Sequence, residues 1–242
     1  MTFGYNDYMS GRFITNFDLM AQRIYVRDKD LLKQWQSVLR LRVGDEVILA
    51  DGKLNEALGK IIELRKDFAG VEILKKYKNT SEPSTEVSLF CAVLKRENFD
   101  MVVQKATEAG VKSIVPLITK RTIKTGLKLE RLNKIAKEAS EQSGRGLIPA
   151  VSAPVEFLDA VKSLSGAPTS ILFNFDGHNI SDIADLVSQK INIFVGPEGG
   201  WEDDEVKFAR ESDFRIVSLG DLILRAETAA TVASYLAVHL TD

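Results

Sequence analysis

The sequence predicts an α/β domain preceded by a smaller, mostly β module. From residue 87 onward, apolar runs of strand length alternate with stretches of helical period, as in a mostly parallel sheet covered by helices. Before residue 78, short apolar runs follow one another with turn residues between them, as in a small barrel. The polar stretch 78–86, which contains Pro83, is the expected linker between the two.

Residues 1–19 show no clean period, and Gly4, Asn6, Asp7, Ser10 and Gly11 interrupt them, so a disordered extension is expected there. No basic start leads into an apolar core, which argues against a secretory signal. The β module is assigned to 20–77. Residues 23–26 make a first strand, and 31–39 have helical spacing. Arg40 to Asp45 then turn into a strand at 46–50, which ends at Asp51-Gly52, and strands follow at 57–62 and 70–74. The second domain, 87–242, opens on a buried strand at 87–94. A helix over 97–109 stops at Gly110, the usual position of glycine just past a helix end. Next come a strand at 114–117 and helices over 129–143 and 155–164. A strand at 170–173, a helix over 180–188, a strand at 191–195, a helix over 202–210 and a strand at 215–219 continue the alternation. The last helix, 226–240, is apolar nearly all round and so is buried on more than one side, within the domain or in a subunit interface.

Composition narrows the function classes. The chain has 242 residues, 45% apolar and 27% charged, enough to build a core and too ordered for a linker or low-complexity protein. No apolar run reaches the ~18 residues of a membrane helix, so a soluble protein with no membrane partner is expected. The one cysteine, Cys91, lies in the apolar run 87–94, which excludes a disulfide framework and fits a reducing, cytoplasmic compartment. The two histidines, His178 and His239, are far apart, and no cluster has metal-ligand spacing, so no metal is expected.

The net charge of −2 hides two runs of opposite sign. Lys120, Arg121, Lys124, Lys128, Arg131, Lys134 and Lys137 face only Glu130 within their stretch, whereas Glu198, Glu202, Asp203, Asp204 and Glu205 have no base among them. The basic stripe is either a local grip for a polyanion or a solvated helix face.

Two loops carry the chemistry. In the first, an apolar strand runs into Gly196-Pro-Glu-Gly-Gly200 and then an acidic helix start. Ligands of open α/β sheets sit at the carboxyl ends of strands, where glycine permits close approach. The second runs from Ser218 through Leu219, Gly220, Leu222, Ile223 and Leu224 to Arg225, then enters a helix with Glu227 and Thr228 in its first turn. The apolar trio is expected to line a pocket, with Arg225 as a permanent cation at its mouth. Neither loop is the dinucleotide fingerprint or a phosphate-binding P-loop, which argues against a nicotinamide enzyme, an ordinary Rossmann methyltransferase and a kinase. Two further segments stand out, Lys105-Ala-Thr-Glu-Ala-Gly-Val111 and Glu138-Ala-Ser-Glu-Gln-Ser-Gly-Arg145. In the latter, Gln142 and Arg145 can bond a base edge or a phosphate.

These segments, in this order, together with Val38-Leu-Arg-Leu-Arg42 and Gly44-Asp45, resemble the bacterial 16S ribosomal RNA (uracil-N3) methyltransferases, the E-type small-subunit enzymes of the SPOUT superfamily. The resemblance covers residues 20–242. It implies a small PUA-like β-barrel RNA-binding domain followed by a SPOUT methyltransferase domain with a C-terminal trefoil knot. It also implies a cytoplasmic homodimer that binds S-adenosylmethionine and methylates N3 of uridine 1498 of 16S rRNA in the small ribosomal subunit.

Carried over motif by motif, the cofactor contacts are Leu172, Phe173, Gly196, Gly199, Leu219, Leu224 and Thr228. Arg225 is the catalytic cation, and Glu198 or Glu227 accepts the proton or orients Arg225. Arg40, Arg42, Arg121, Lys124, Gln142 and Arg145 are the expected RNA contacts. The sequence departs from the family pattern at Leu222, where a basic residue is common, and around Ile180, so His178 receives no role. Three alternatives stay open at this level: another SPOUT enzyme with a tRNA target, a non-catalytic RNA-binding or ribosome-assembly protein, and a small-molecule α/β enzyme without RNA, against which the basic stripe argues.

Overall fold

The computed structural model describes residues 11–123, 126–167, 169–179 and 189–239. The expected helix over 180–188, Lys124 and residues 1–10 of the expected extension lie outside these. Two units divide the chain: one runs to Glu82 and takes in Glu141–Leu147, and the other comprises Pro83–Ser140 and the chain from Ile148.

The first unit is built on a five-stranded sheet. Its strands are β1 (Gly11–Ile14), β2 (Arg23–Val26), β3 (Glu46–Ala50), β4 (Asn55–Leu64) and β5 (Ala69–Lys78), in the order β1-β3-β4-β5-β2. β1 corrects the expectation of a disordered extension for residues 11–19. It pairs in parallel with β3, and Phe13, 1% exposed, packs at a tilt against Trp35, ring centroids 5.1 Å apart, in the core. Burying an aromatic ring of that size holds a short strand that has no period of its own. Between β2 and β3, the helix α1 (Lys29–Lys33) begins where the Asp28 carboxylate accepts a 2.9 Å bond from the Leu31 N–H, and it widens into a π-turn over Gln34–Val38. Asp51 shapes the β3–β4 turn by accepting bonds from the Lys53 and Asn55 amides.

Buried Glu56 and part-buried Glu82 tie Glu141–Leu147 into this unit, a grouping that the linear domain boundaries did not anticipate. Glu56 is held by Arg12 and by Asn79 Nδ2 at 2.7 Å, and both partners also donate to the Gly144 carbonyl. Burial pushes the Glu56 carboxyl up, against the opposing pull of Arg12 and Asn79. Glu82 takes bonds from Arg145 Nη2 at 2.9 Å and from the Gly146 and Leu147 amides at 3.1 Å. Arg145 is 4% exposed, so the expectation that it contacts RNA is corrected: its guanidinium faces Glu82 inside the unit. Arg145→Ala would strand the Glu82 charge and is expected to cost about 3–5 kcal/mol, the usual penalty for breaking a buried pair, read by urea denaturation.

The second unit carries β6 (Glu86–Ala92), β7 (Ser113–Ile118), β8 (Ala150–Val151), β9 (Val155–Glu156), β10 (Ser170–Asn179), β11 (Lys190–Val195) and β12 (Arg215–Ser218). They form a parallel sheet in the order β12-β10-β11-β6-β7-β8, with β9 also on β7. The helices are α2 (Arg96–Ala109), α3 (Leu129–Ser143), α4 (Phe157–Ser163), α5 (Asp203–Glu211) and α6 (Ala226–His239). Gly110 ends α2 at φ 104°, a conformation that disfavours a side chain. One core packs α2, α3 and α6 on the sheet, around Leu89, Phe99, Ile193 and Ala233; the other gathers Phe90, Phe157, Phe194, Trp201 and Phe214. The alternation read from the sequence is therefore the sheet observed. The expected helix over 155–164 yields its first two residues to β9. Among the described residues, no helix is long and apolar enough to cross a membrane.

Candidate functional site

In the second unit, β11 ends at Val195 and β12 at Ser218, and the loops that follow both strands line one cavity of about 710 Å³. That volume lies within the range of about 300–1,000 Å³ for small-molecule sites. The position is the one where open α/β sheets bind ligands, beyond the carboxyl ends of the strands. Apolar walls come from Phe173, Val195, Leu219 and Leu224, and peptide groups from Gly196, Gly199 and Gly220. Gly220, at φ 119°, lets the second loop turn directly after β12.

Most of the expected cofactor and catalytic residues meet here: Phe173, Gly196, Glu198, Gly199, Leu219, Leu224 and Arg225. Two do not line the cavity. Leu172 points to the opposite face of β10 from Phe173, as the strand period requires, and packs with Phe194 and Trp201. Thr228 is exposed on α6, while Ala226 and Ala229 face the cavity. Leu222 and Ile223 do line it but are 80% and 87% exposed, so they form an open apolar rim rather than a closed wall.

The charges are arranged unevenly. Arg225 is exposed and immediately precedes α6, its carbonyl accepting from the Ala229 amide at 2.8 Å. It makes no ion pair with a carboxylate among the described residues, so the expected partnership with Glu227 is absent. Glu227 is buried in the first turn of α6. Glu198 is exposed, with one oxygen 3.4 Å from the Lys95 amide. Burial pushes the Cys91 thiol far up, and the Glu198 and Glu227 carboxylates push it further. Cys91 is therefore a protonated core residue and not a nucleophile. No group of His, Cys, Asp or Glu among the described residues is placed to hold a metal ion.

The two charge runs meet each other. Lys120 pairs with Asp204 and Arg121 Nε donates to Glu202 at 2.8 Å, while Arg131 Nη2 pairs with Asp100, outside the acidic run, at 2.6 Å. Their bonds to Arg121 and Lys120 hold the Glu202 and Asp204 carboxyls below the ordinary range. Among the described residues the stripe is thus partly neutralised within its own unit. Arg40, Arg42 and Gln142, in the first unit, are exposed, with Arg40 at φ 55°.

One residue the sequence left without a role organises the first loop. Trp201 Nε1 donates to the Phe173 carbonyl at 2.9 Å, and its ring lies against Gly196. A tryptophan directly after a glycine loop is the only signal the sequence offers for it.

Comparison with known proteins accounts for both units. Residues 80–238 match the family model of the RNA methyltransferase domain, and residues 36–74 match that of the RNA methyltransferase PUA domain. A ribosomal RNA small subunit methyltransferase E of Synechocystis sp. is 35% identical over 82% of this chain and 67% of the relative. One of Rickettsia conorii is 32% identical over 82% of each. The crystal structure of a ribosomal RNA small subunit methyltransferase E from Neisseria gonorrhoeae, bound to S-adenosylmethionine, superposes with a TM-score of 0.86 at 30% identity, covering 93% of this chain and 95% of that one. With both units matched and the loops convergent on one cavity, the chain belongs to the RNA methyltransferase family that includes the E-type small-subunit ribosomal RNA enzymes.

Proposed function

We propose that this chain binds S-adenosylmethionine in the cavity of its second unit and methylates N3 of a uridine in small-subunit ribosomal RNA, uridine 1498 of 16S rRNA. The observation that carries this reading is the convergence of two glycine-bearing loops on one apolar-walled cavity with an unpaired arginine at its rim. The residues suit such a cofactor. An adenine ring and a methionine chain need apolar walls and peptide groups, which Leu219, Leu224 and the glycines provide, and a sulfonium is favoured by the negative charge of Glu198 and Glu227.

When bound, the cofactor supplies an electrophilic methyl group. The protein's task is then to orient the base and to stabilise the negative charge that develops as N3 loses its proton. Arg225 does the second, because its charge is permanent and it stands at the positive end of α6. Glu198 accepts the proton or orients Arg225, and Glu227, which also lines the cavity, is the alternative proton acceptor. Phe173, Gly196, Gly199, Leu219 and Leu224 hold the cofactor. The target base is unstacked from the RNA to reach the site. The working form is a cytoplasmic homodimer with its C-terminal loops threaded as a trefoil knot, and no metal takes part.

Arg40, Arg42 and Gln142 are the RNA contacts left exposed; Lys124, outside the described residues, is a further proposed contact. Arg40→Glu combined with Arg42→Glu is expected to weaken ribosomal RNA binding and to lower the salt slope by roughly one per lost phosphate contact, with cofactor affinity unchanged. Filter binding across a salt series checks this, and an unaltered slope removes both arginines from the interface. The function itself is tested by transfer of a labelled methyl group from S-adenosylmethionine to purified small subunits without added metal. Label on tRNA alone would overturn the assigned substrate, and binding of RNA with no transfer would make the chain a non-catalytic relative.

A further inference from the structure

The sequence marks Arg121 as an RNA contact, but its surroundings give it different work. We propose that Arg121 is a positioning residue that fixes the shape of the Gly196-Pro-Glu-Gly-Gly200 loop for cofactor binding. This rests on the cofactor reading of the cavity.

Arg121 lies just beyond β7, far in sequence from the loop it touches. Its Nη1 donates to the Gly199 carbonyl, and its Nε donates to Glu202 Oε1 at 2.8 Å. A Cβ built on Gly199 would lie 3.2 Å from Arg121 Cδ, so the arginine side chain packs closely against the loop at this glycine. Next along the loop, Gly200 turns at φ 72°, and its amide bonds to the Pro197 carbonyl at 2.9 Å. The same strap continues through Glu205, whose carboxylate takes the Lys120 amide at 3.1 Å and the Glu202 amide at 2.9 Å.

The loop is therefore held at two points. Trp201 anchors its far end to the Phe173 carbonyl, and Arg121 pins its middle. A phosphate would compete for donors already engaged, since Nε and Nη1 of this guanidinium hold a carboxylate and a carbonyl. Stability does not explain the arrangement, because a solvent-exposed ion pair contributes only about 0–1 kcal/mol. Geometry does: a planar fork bridges two acceptors at a fixed angle, which a lysine ammonium cannot do.

The test compares Arg121→Ala and Arg121→Lys with the wild-type chain. Calorimetry reads S-adenosylmethionine binding, filter binding across a salt series reads ribosomal RNA, and thermal melts report folding. Arg121→Ala is expected to weaken cofactor binding about tenfold, the scale of one lost charge-assisted hydrogen bond. Arg121→Lys should fall between Ala and wild type, and the loss should appear in KM for the cofactor more than in kcat. RNA affinity and its salt slope should hold. If Arg121→Ala does not fold, the Lys variant decides by the same readings. Cofactor affinity equal to wild type in the folded variants would overturn the proposal, as would a lost salt slope with cofactor binding intact. A wild-type chain that binds no S-adenosylmethionine would overturn the cofactor reading and this proposal with it.

Discussion

Arg225→Ala is expected to lower the single-turnover rate of methyl transfer by a factor on the order of 10² or more, the scale of losing one oxyanion-type donor. The side chain is exposed and unpaired in this structure, so removing it leaves no buried charge behind. An exposed substitution of that kind changes stability by about 0.5 kcal/mol or less. Loss of folding is therefore not the expected route to loss of activity. If Arg225 stabilises charge on the base as its proton leaves, its contribution belongs to the transition state, and affinities for S-adenosylmethionine and ribosomal RNA should change little. Arg225→Lys should rescue only in part, because a point charge lacks the planar fork. A folded Arg225→Ala protein that methylates small subunits at the wild-type rate would end the catalytic assignment.

Gly196→Val should remove S-adenosylmethionine binding from the calorimetric range while leaving the first unit folded. A Cβ on Gly196 would lie 3.0 Å from Trp201 Cε2, closer than ordinary contact, and the valine methyl groups would extend that clash. The indole has no room to retreat, since it packs on Phe157 at 5.0 Å and is pinned to the Phe173 carbonyl. Overpacking a rigid contact of this kind is relieved by moving backbone, at a cost of about 1–3 kcal/mol, and the backbone that moves is the cofactor loop itself. Unchanged affinity in a folded Gly196→Val protein would take this loop out of the site.

The parallel sheet was legible because its strands are buried on both faces and so read as continuous apolar runs, as in 87–94 and 191–195. The two site loops were legible because glycine at a strand's carboxyl end is a local signal, and the cavity forms at both. What escaped the sequence is long-range. β1 holds only two fully buried residues, Phe13 and Ile14, too few to show a period. Arg145 reads as a surface cation until Glu82, sixty-three residues away, is placed beside it. The basic run from Lys120 and the acidic run to Glu205 read as separate patches, although Arg121 and Glu202 are bonded across eighty-one residues. Leu222 and Ile223 read as pocket lining because they are apolar, but the loop that carries them leaves them on an open rim.

The most direct test of the central claim is nucleoside mass spectrometry of 16S rRNA from a strain lacking this gene, before and after treatment of its small subunits with the purified protein and S-adenosylmethionine. N3-methyluridine is expected to be absent from uridine 1498 in the strain and restored by the wild-type protein, but not by Arg225→Ala over the same single-turnover interval. Persistence of N3-methyluridine at that position in the strain, or its failure to form on treatment, would contradict it.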